Sequence, residues 1–78
     1  MYRYLIIIER GGGSQNLSAY VPDLPGCAAT GATRDELLAN MRDAIAPHLQ
    51  GMIEDGERMP TPNSDPAYVE VAPPQAVP

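Results

Sequence analysis

Cys27 and His48 are the chain's single cysteine and single histidine. A thiolate and an imidazole can form a nucleophile and its base when a third polar group orients the ring, and no motif here supplies that group. Cys27 directly follows a Pro-Gly turn, where a free cysteine reads as a small core residue. His48 lies beside an apolar helical stripe and reads as a structural or interface histidine, with a pH-sensitive contact as the alternative. Two-metal cleavage of a phosphodiester needs several converging carboxylates. Glu9, Glu36 and Glu70 are the acids to consider, but Glu36 suits helix capping, Glu9 and Glu70 stand at strand ends, and Leu5–Ile8 holds no acid. Gly11-Gly12-Gly13-Ser14 lacks the spacing of a phosphate loop and no helix follows it, so it reads as a hairpin tip. The residues therefore describe a protein that is not an enzyme, with no catalytic, metal-binding or cofactor-binding set.

Charge narrows the partners. Ten Asp and Glu against five Arg give a net charge of −5. Arg3, Arg10, Arg34, Arg42 and Arg58 are scattered, whereas nucleic-acid binding needs clustered cations to displace counterions. Direct nucleic-acid binding is not expected. An acidic surface speeds encounter with a basic protein. Glu54, Asp55 and Glu57 crowd a helix C-terminus, where negative charge opposes the helix dipole; either solvation or a basic partner explains them. One cysteine permits no internal disulfide and suits a reducing compartment. The apolar run Tyr4–Ile8 is too short for a signal sequence or membrane span, so a cytoplasmic protein is expected.

Four strands and a helix must position these residues. Tyr4–Ile8 is rich in β-branched residues and reads as a strand buried on both faces. Leu17–Val21 alternates, with Leu17, Ala19 and Val21 toward a core and Ser18 and Tyr20 away from it. Pro25-Gly26 turns the chain into a short third strand, Cys27–Thr30, which ends at Gly31. Thr33 and Glu36 form a T-x-x-E capping box. Leu37, Met41, Ile45, Leu49 and Ile53 then recur every fourth residue, flanked by Leu38, His48 and Met52, and Gly56 suits a left-handed C-cap. Pro47 removes one hydrogen bond and predicts a kink between Asp43 and Pro47 within one continuous helix. Pro60, Pro62 and Pro66 mark an extended linker, Ala67–Val71 a last strand, and Ala72–Pro78 a disordered tail. Residues 1–71 form one domain on this reading.

Tyr20-Val21-Pro22-Asp23-Leu24-Pro25-Gly26-Cys27, Gly31-Ala32-Thr33 and the run His48 to Glu57 together resemble the HicB-like antitoxins over Tyr4 to Val71. The resemblance implies an α+β, β-β-β-α-β partial RNase H-like fold. Three strands would be antiparallel and a fourth would run parallel to the first on its free edge, with one helix packed on one face. It also implies a type II antitoxin that occludes the active site of a HicA-like, mRNA-cleaving toxin, itself a small basic protein; an orphan, homo-oligomeric binding or scaffold module is the alternative. Many HicB proteins add a C-terminal DNA-binding motif. Ala72–Pro78 is too short for one, so operator binding by this chain is not expected.

Leu5 and Ile7 point opposite to Tyr4, Ile6 and Ile8, so both faces of the first strand are apolar while one helix can cover only one. A second copy, in a dimer or tetramer, or the toxin is expected on the face opposite the helix. The expected contact residues are Tyr4, Ile6, Ile8 and Tyr20, with Glu54, Asp55 and Glu57 on an acidic rim.

Overall fold

The structure, a computed structural model, describes residues 2–11 and 16–75. Three short strands, β1 (Ile7–Arg10), β2 (Leu17–Tyr20) and β3 (Ala28–Gly31), precede one long helix, α1 (Arg34–Glu54). The strands form an antiparallel sheet in the order β1-β2-β3. Both β1 and β3 are therefore edges. The glycine-rich hairpin tip expected at Gly11–Ser14 falls largely outside the described residues, as do the last three residues of the tail.

Register decides what each face of the sheet presents. Ile8 pairs with Ala19 and Ala19 with Ala29, giving one apolar row toward the helix. Ile7 pairs with Tyr20 and Tyr20 with Ala28 on the outer face; Glu9, Ser18 and Thr30 make the next outer row. The outer face is thus apolar at one end and polar at the other.

The first strand begins later than its composition suggests. Its ladder starts at Ile7, opposite Tyr20, because β2 ends there: Val21 turns inward and its N–H donates to the Cys27 carbonyl at 3.1 Å. Tyr4–Ile6 consequently runs on without a paired strand among the described residues. Tyr4–Ile8 is half-buried throughout rather than buried on both faces.

The 22–26 turn contributes more than a change of direction. Leu24 N–H donates to Val21 O and Cys27 N–H to Leu24 O, both at 3.1 Å, while Gly26 takes a φ of 83°. These bonds fold the turn over the sheet's end and place Leu24, 0% exposed, in the core with Leu17, Ala19, Val21, Cys27, Leu37 and Met41.

Helix α1 is capped at both ends. The Glu36 N–H donates to Thr33 Oγ1 at 3.1 Å. That is one half of the expected capping box; the return bond from the Glu36 carboxylate is not made among the described residues. At the other end, Glu57 N–H reaches Met52 O at 2.8 Å and Gly56 N–H reaches Ile53 O at 3.0 Å, with Gly56 at φ 77°. This pair of bonds around a left-handed glycine is a Schellman motif. The helix continues through Pro47 as one element.

The apolar stripe rotates along the helix. Each residue advances about 100°, so a strict every-fourth-residue series drifts by about 40° per step. Leu37 and Met41 are buried, but the inward side then passes to Ala44, Ile45, Leu49 and Met52, and Ile53 emerges into solvent. The helix lies over β3, touches β2 at its margin, and leaves β1 outside its footprint. Close approach at Gly31 sets this offset: a Cβ there would stand 2.6 Å from the Leu37 backbone nitrogen. Asn40 Nδ2 adds a 2.8 Å bond to Thr30 O.

Past Gly56 the chain has no regular structure through residue 75. The expected strand Ala67–Val71 does not form within the chain: Tyr68, Val69 and Val71 are 97, 84 and 80% exposed. Strand propensity expresses a fit to a half-buried pleated surface. Beyond Pro66 the chain passes its own sheet without pairing to it and stays exposed. The α+β class holds, with three antiparallel strands and one helix.

Candidate partner-binding surface

Because α1 sits over β3, the apolar side chains of the opposite edge are only partly covered. Tyr4, Ile6 and Ile8 pack on the core from the helix side of the sheet. Between them and the helix runs an apolar groove of about 600 Å³, lined by Tyr2, Tyr4, Ile6, Leu38, Ile45 and Leu49, with Met41 also in its wall and Arg3 and Arg42 along it. Tyr2 and Tyr4 meet edge to face, ring centroids 6.0 Å apart. Unfilled apolar surface thus lies beside the helix, in addition to the apolar end of the outer face, where the sequence argument expects a partner.

The expected contact residues fall in three places. Tyr4 and Ile6 line the groove, and Ile8 follows in β1. Tyr20 is on the outer face, exposed, beside its cross-strand partner Ile7. Glu54, Asp55 and Glu57 are exposed at the end of α1, where Asp55 and Glu57 border a cleft of about 480 Å³ with Leu24, His48, Met52 and Pro60. These three places do not form one patch.

The linker after α1 is tied back across the sheet's end. Tyr4 Oη donates to the Pro60 carbonyl. Asp23 Oδ2 accepts the N–H groups of Asn63 and Ser64 at 3.0 and 3.2 Å, and its Oδ1 accepts the Ser64 hydroxyl at 2.9 Å. The hydrogen bonds from Asn63 and Ser64, which outweigh a smaller desolvation effect, hold the Asp23 carboxyl below the usual carboxylate range. Desolvation, with smaller effects from Tyr2 and Asp23, raises Tyr4 above its ordinary phenol value, so it stays a donor. The sequence reading treated Asp23 only as a turn residue; its role depends on contacts some forty positions away.

A carboxyl with a lowered folded-state pKa stabilises the fold above its unfolded pKa and loses that contribution as pH falls through the folded value. The latch is thus closed at neutral pH and opens in acid, below the ordinary aspartate range. Asp23→Ala opens it at neutral pH. Amide exchange should show Asn63 and Ser64 losing protection in this variant while the α1 amides keep theirs; unchanged protection at Asn63 and Ser64 contradicts the latch.

The chemistry-bearing residues take structural positions. Cys27 is buried in the core and desolvation raises its thiol pKa, which disfavours the thiolate that a nucleophile needs. His48 is half-buried on α1, in the cleft with Leu24. Glu9, Glu36 and Glu70 are exposed. Among the described residues no group of three or more His, Cys, Asp or Glu side chains is placed to hold a metal ion, and no helix is long and apolar enough to cross a membrane.

A family model described as the HicB-like antitoxin of a bacterial toxin-antitoxin system matches residues 4–73. An uncharacterized 14.9 kDa protein from the rep-hol intergenic region of Haemophilus phage HP1 is 39% identical over 66 residues, 85% of this chain and 48% of the phage protein. The chain thus spans about half the length of that relative. The UPF0150 protein Ta0767 of Thermoplasma acidophilum is 36% identical over 63 residues, covering 81% of this chain and 90% of its own length. No solved structure gave a significant match. The match over residues 4–73 takes in the half-buried first segment, all three strands, α1 and the latched linker, and the chain belongs to the HicB-like antitoxin family.

Proposed function

We propose that this chain is the antitoxin of a type II toxin-antitoxin system and that it neutralises a small, basic, HicA-like mRNA-cleaving toxin by covering its active site. The observation that carries the reading is the apolar groove between α1 and the Tyr4–Ile6 segment, present in a chain of this family. A groove of this kind is a docking surface for apolar side chains of a partner, with binding energy concentrated in a few buried contacts. Tyr4 and Ile6 supply the side facing α1, and Ile8 continues the apolar row beyond it. Tyr20 extends the contact to the outer face. Glu54, Asp55 and Glu57, within a net charge of −5, favour encounter with a basic protein.

On this reading residues 1–71 are the binding domain, the chain acts in the cytoplasm without a cofactor, and its role is binding, not catalysis. Self-association as a dimer or tetramer accompanies toxin binding. The area left open by the sheet edge and by residues 67–71 also favours a second reading, a homo-oligomeric HicB-like module that has no toxin. A neighbouring gene for a small basic protein separates the two.

Co-expression with that gene tests the proposal. The chain restores growth and the two proteins purify together. Leu38→Glu, at the exposed lip of the groove, should weaken capture at least tenfold while leaving the far-UV spectrum unchanged. Growth arrest that persists with folded chain present contradicts the antitoxin reading; full rescue by Leu38→Glu contradicts the groove as its site.

A further inference from the structure

The chain is more open than its length predicts. Its radius of gyration is 16.3 Å and its long axis 59 Å, against about 11.5 Å expected for the radius of a compact domain of this length. Its accessible area is 6487 Å², roughly 1,900 Å² above the value for a compact monomer of this mass. A standard interface removes about 800 Å² from each partner, so the surplus is ample for a stable dimer.

Two features of this open surface are complementary. Among the described residues no strand neighbours the outer edge of β1. Such an edge presents a row of N–H and C=O groups ready to pair. Residues 67–71, Ala-Tyr-Val-Glu-Val, form an exposed arm that makes no hydrogen bond or ring contact among the described residues. In an extended strand Ala67, Val69 and Val71 fall on one side and Tyr68 and Glu70 on the other. The first set matches the apolar row of Ile6 and Ile8, and Tyr68 matches the outer row of Ile7 and Tyr20.

The arm passes near its own β1 without joining it. Leu5–Ile8, Arg10 and residues 65–68 border an open cleft of about 610 Å³. The Asp23 latch fixes the chain at Asn63 and Ser64, and Pro66 stiffens the exit. Held there, the arm keeps both faces in solvent.

We infer that Ala67–Val71 is an exchange strand, which adds to the free edge of β1 in a second copy of this chain while that copy's arm adds to the first. Reciprocal exchange closes a two-fold dimer and removes both exposed edges. It deepens the self-association proposed above, lies beside the toxin groove, and needs no toxin.

The full chain, without toxin, should elute as a dimer at micromolar concentration, and the chain ended after Pro66 as a monomer with its helical far-UV signal retained. A spin label on Tyr68→Cys, in a Cys27→Ala background, is then mixed with isotope-labelled unmodified chain. The amide signals of Leu5–Ile8 in the isotope-labelled copy should lose at least half their intensity. Broadening confined to samples carrying label and isotope on one chain means closure on its own sheet and overturns the exchange. A dimer that persists without the arm also overturns it, while self-association stands. A monomeric full chain overturns both.

Discussion

Gly31→Ala lowers the urea midpoint sharply, by about 3 kcal/mol of stability, the upper end of what overpacking costs. The new methyl group would meet the Leu37 backbone nitrogen at 2.6 Å and its Cα at 2.8 Å. Backbone atoms in the first turn of a helix cannot swing aside as a side-chain tip can. Relief requires α1 to lift from β3, which loosens Leu37 and Met41 together. Gly51→Ala is the matched control. Nothing lies within 4 Å of its added methyl group, and alanine suits a helix interior better by up to about 1 kcal/mol. Far-UV unfolding curves of both variants check the pair: equal midpoints would contradict the close approach.

Leu24→Ala ranks beside it, with an expected loss of about 3 kcal/mol, inside the range of 2–5 kcal/mol for emptying a fully buried leucine site. Leu24 is 0% exposed, yet it belongs to a turn between two prolines. Its backbone bonds to Val21 and Cys27 fix the turn over the core, so little can collapse into the space it leaves. A domain this small has little stability in reserve. Urea titration should show the variant largely unfolded or its midpoint far below the parent's; a change under about 0.5 kcal/mol, the scale of a surface substitution, would mean that Leu24 is no core residue.

How far these features can be read from sequence depends on the range of the forces behind them. The alternation of Leu17, Ala19 and Val21, the cap at Thr33 and the glycine at position 56 are short-range effects, and each occupies the position its neighbours predict. Cys27 as core follows from the turn before it. Leu24 was hidden because a Pro-x-x-Pro turn signals direction and says nothing of burial. Ile53 misled because an every-fourth-residue series drifts around a helix.

The groove beside α1 was not legible in the sequence. Tyr4, Ile6 and Ile8 are apolar, but they are half-buried and only partly covered, where their composition implies burial on both faces. Which side stays open depends on where α1 rests, and that follows from one close contact at Gly31. No periodicity encodes it. The Asp23 latch is likewise a meeting of distant segments, and the strand-like Ala67–Val71 carries a propensity that the isolated chain leaves unsatisfied.

On the proposed reading this small acidic domain disarms a ribonuclease by seating it. Purified chain, added at an equimolar ratio to the purified basic protein encoded beside it, should stop RNA cleavage, and the two should elute as one species. Cleavage that continues at full rate in a several-fold excess of folded chain would contradict it.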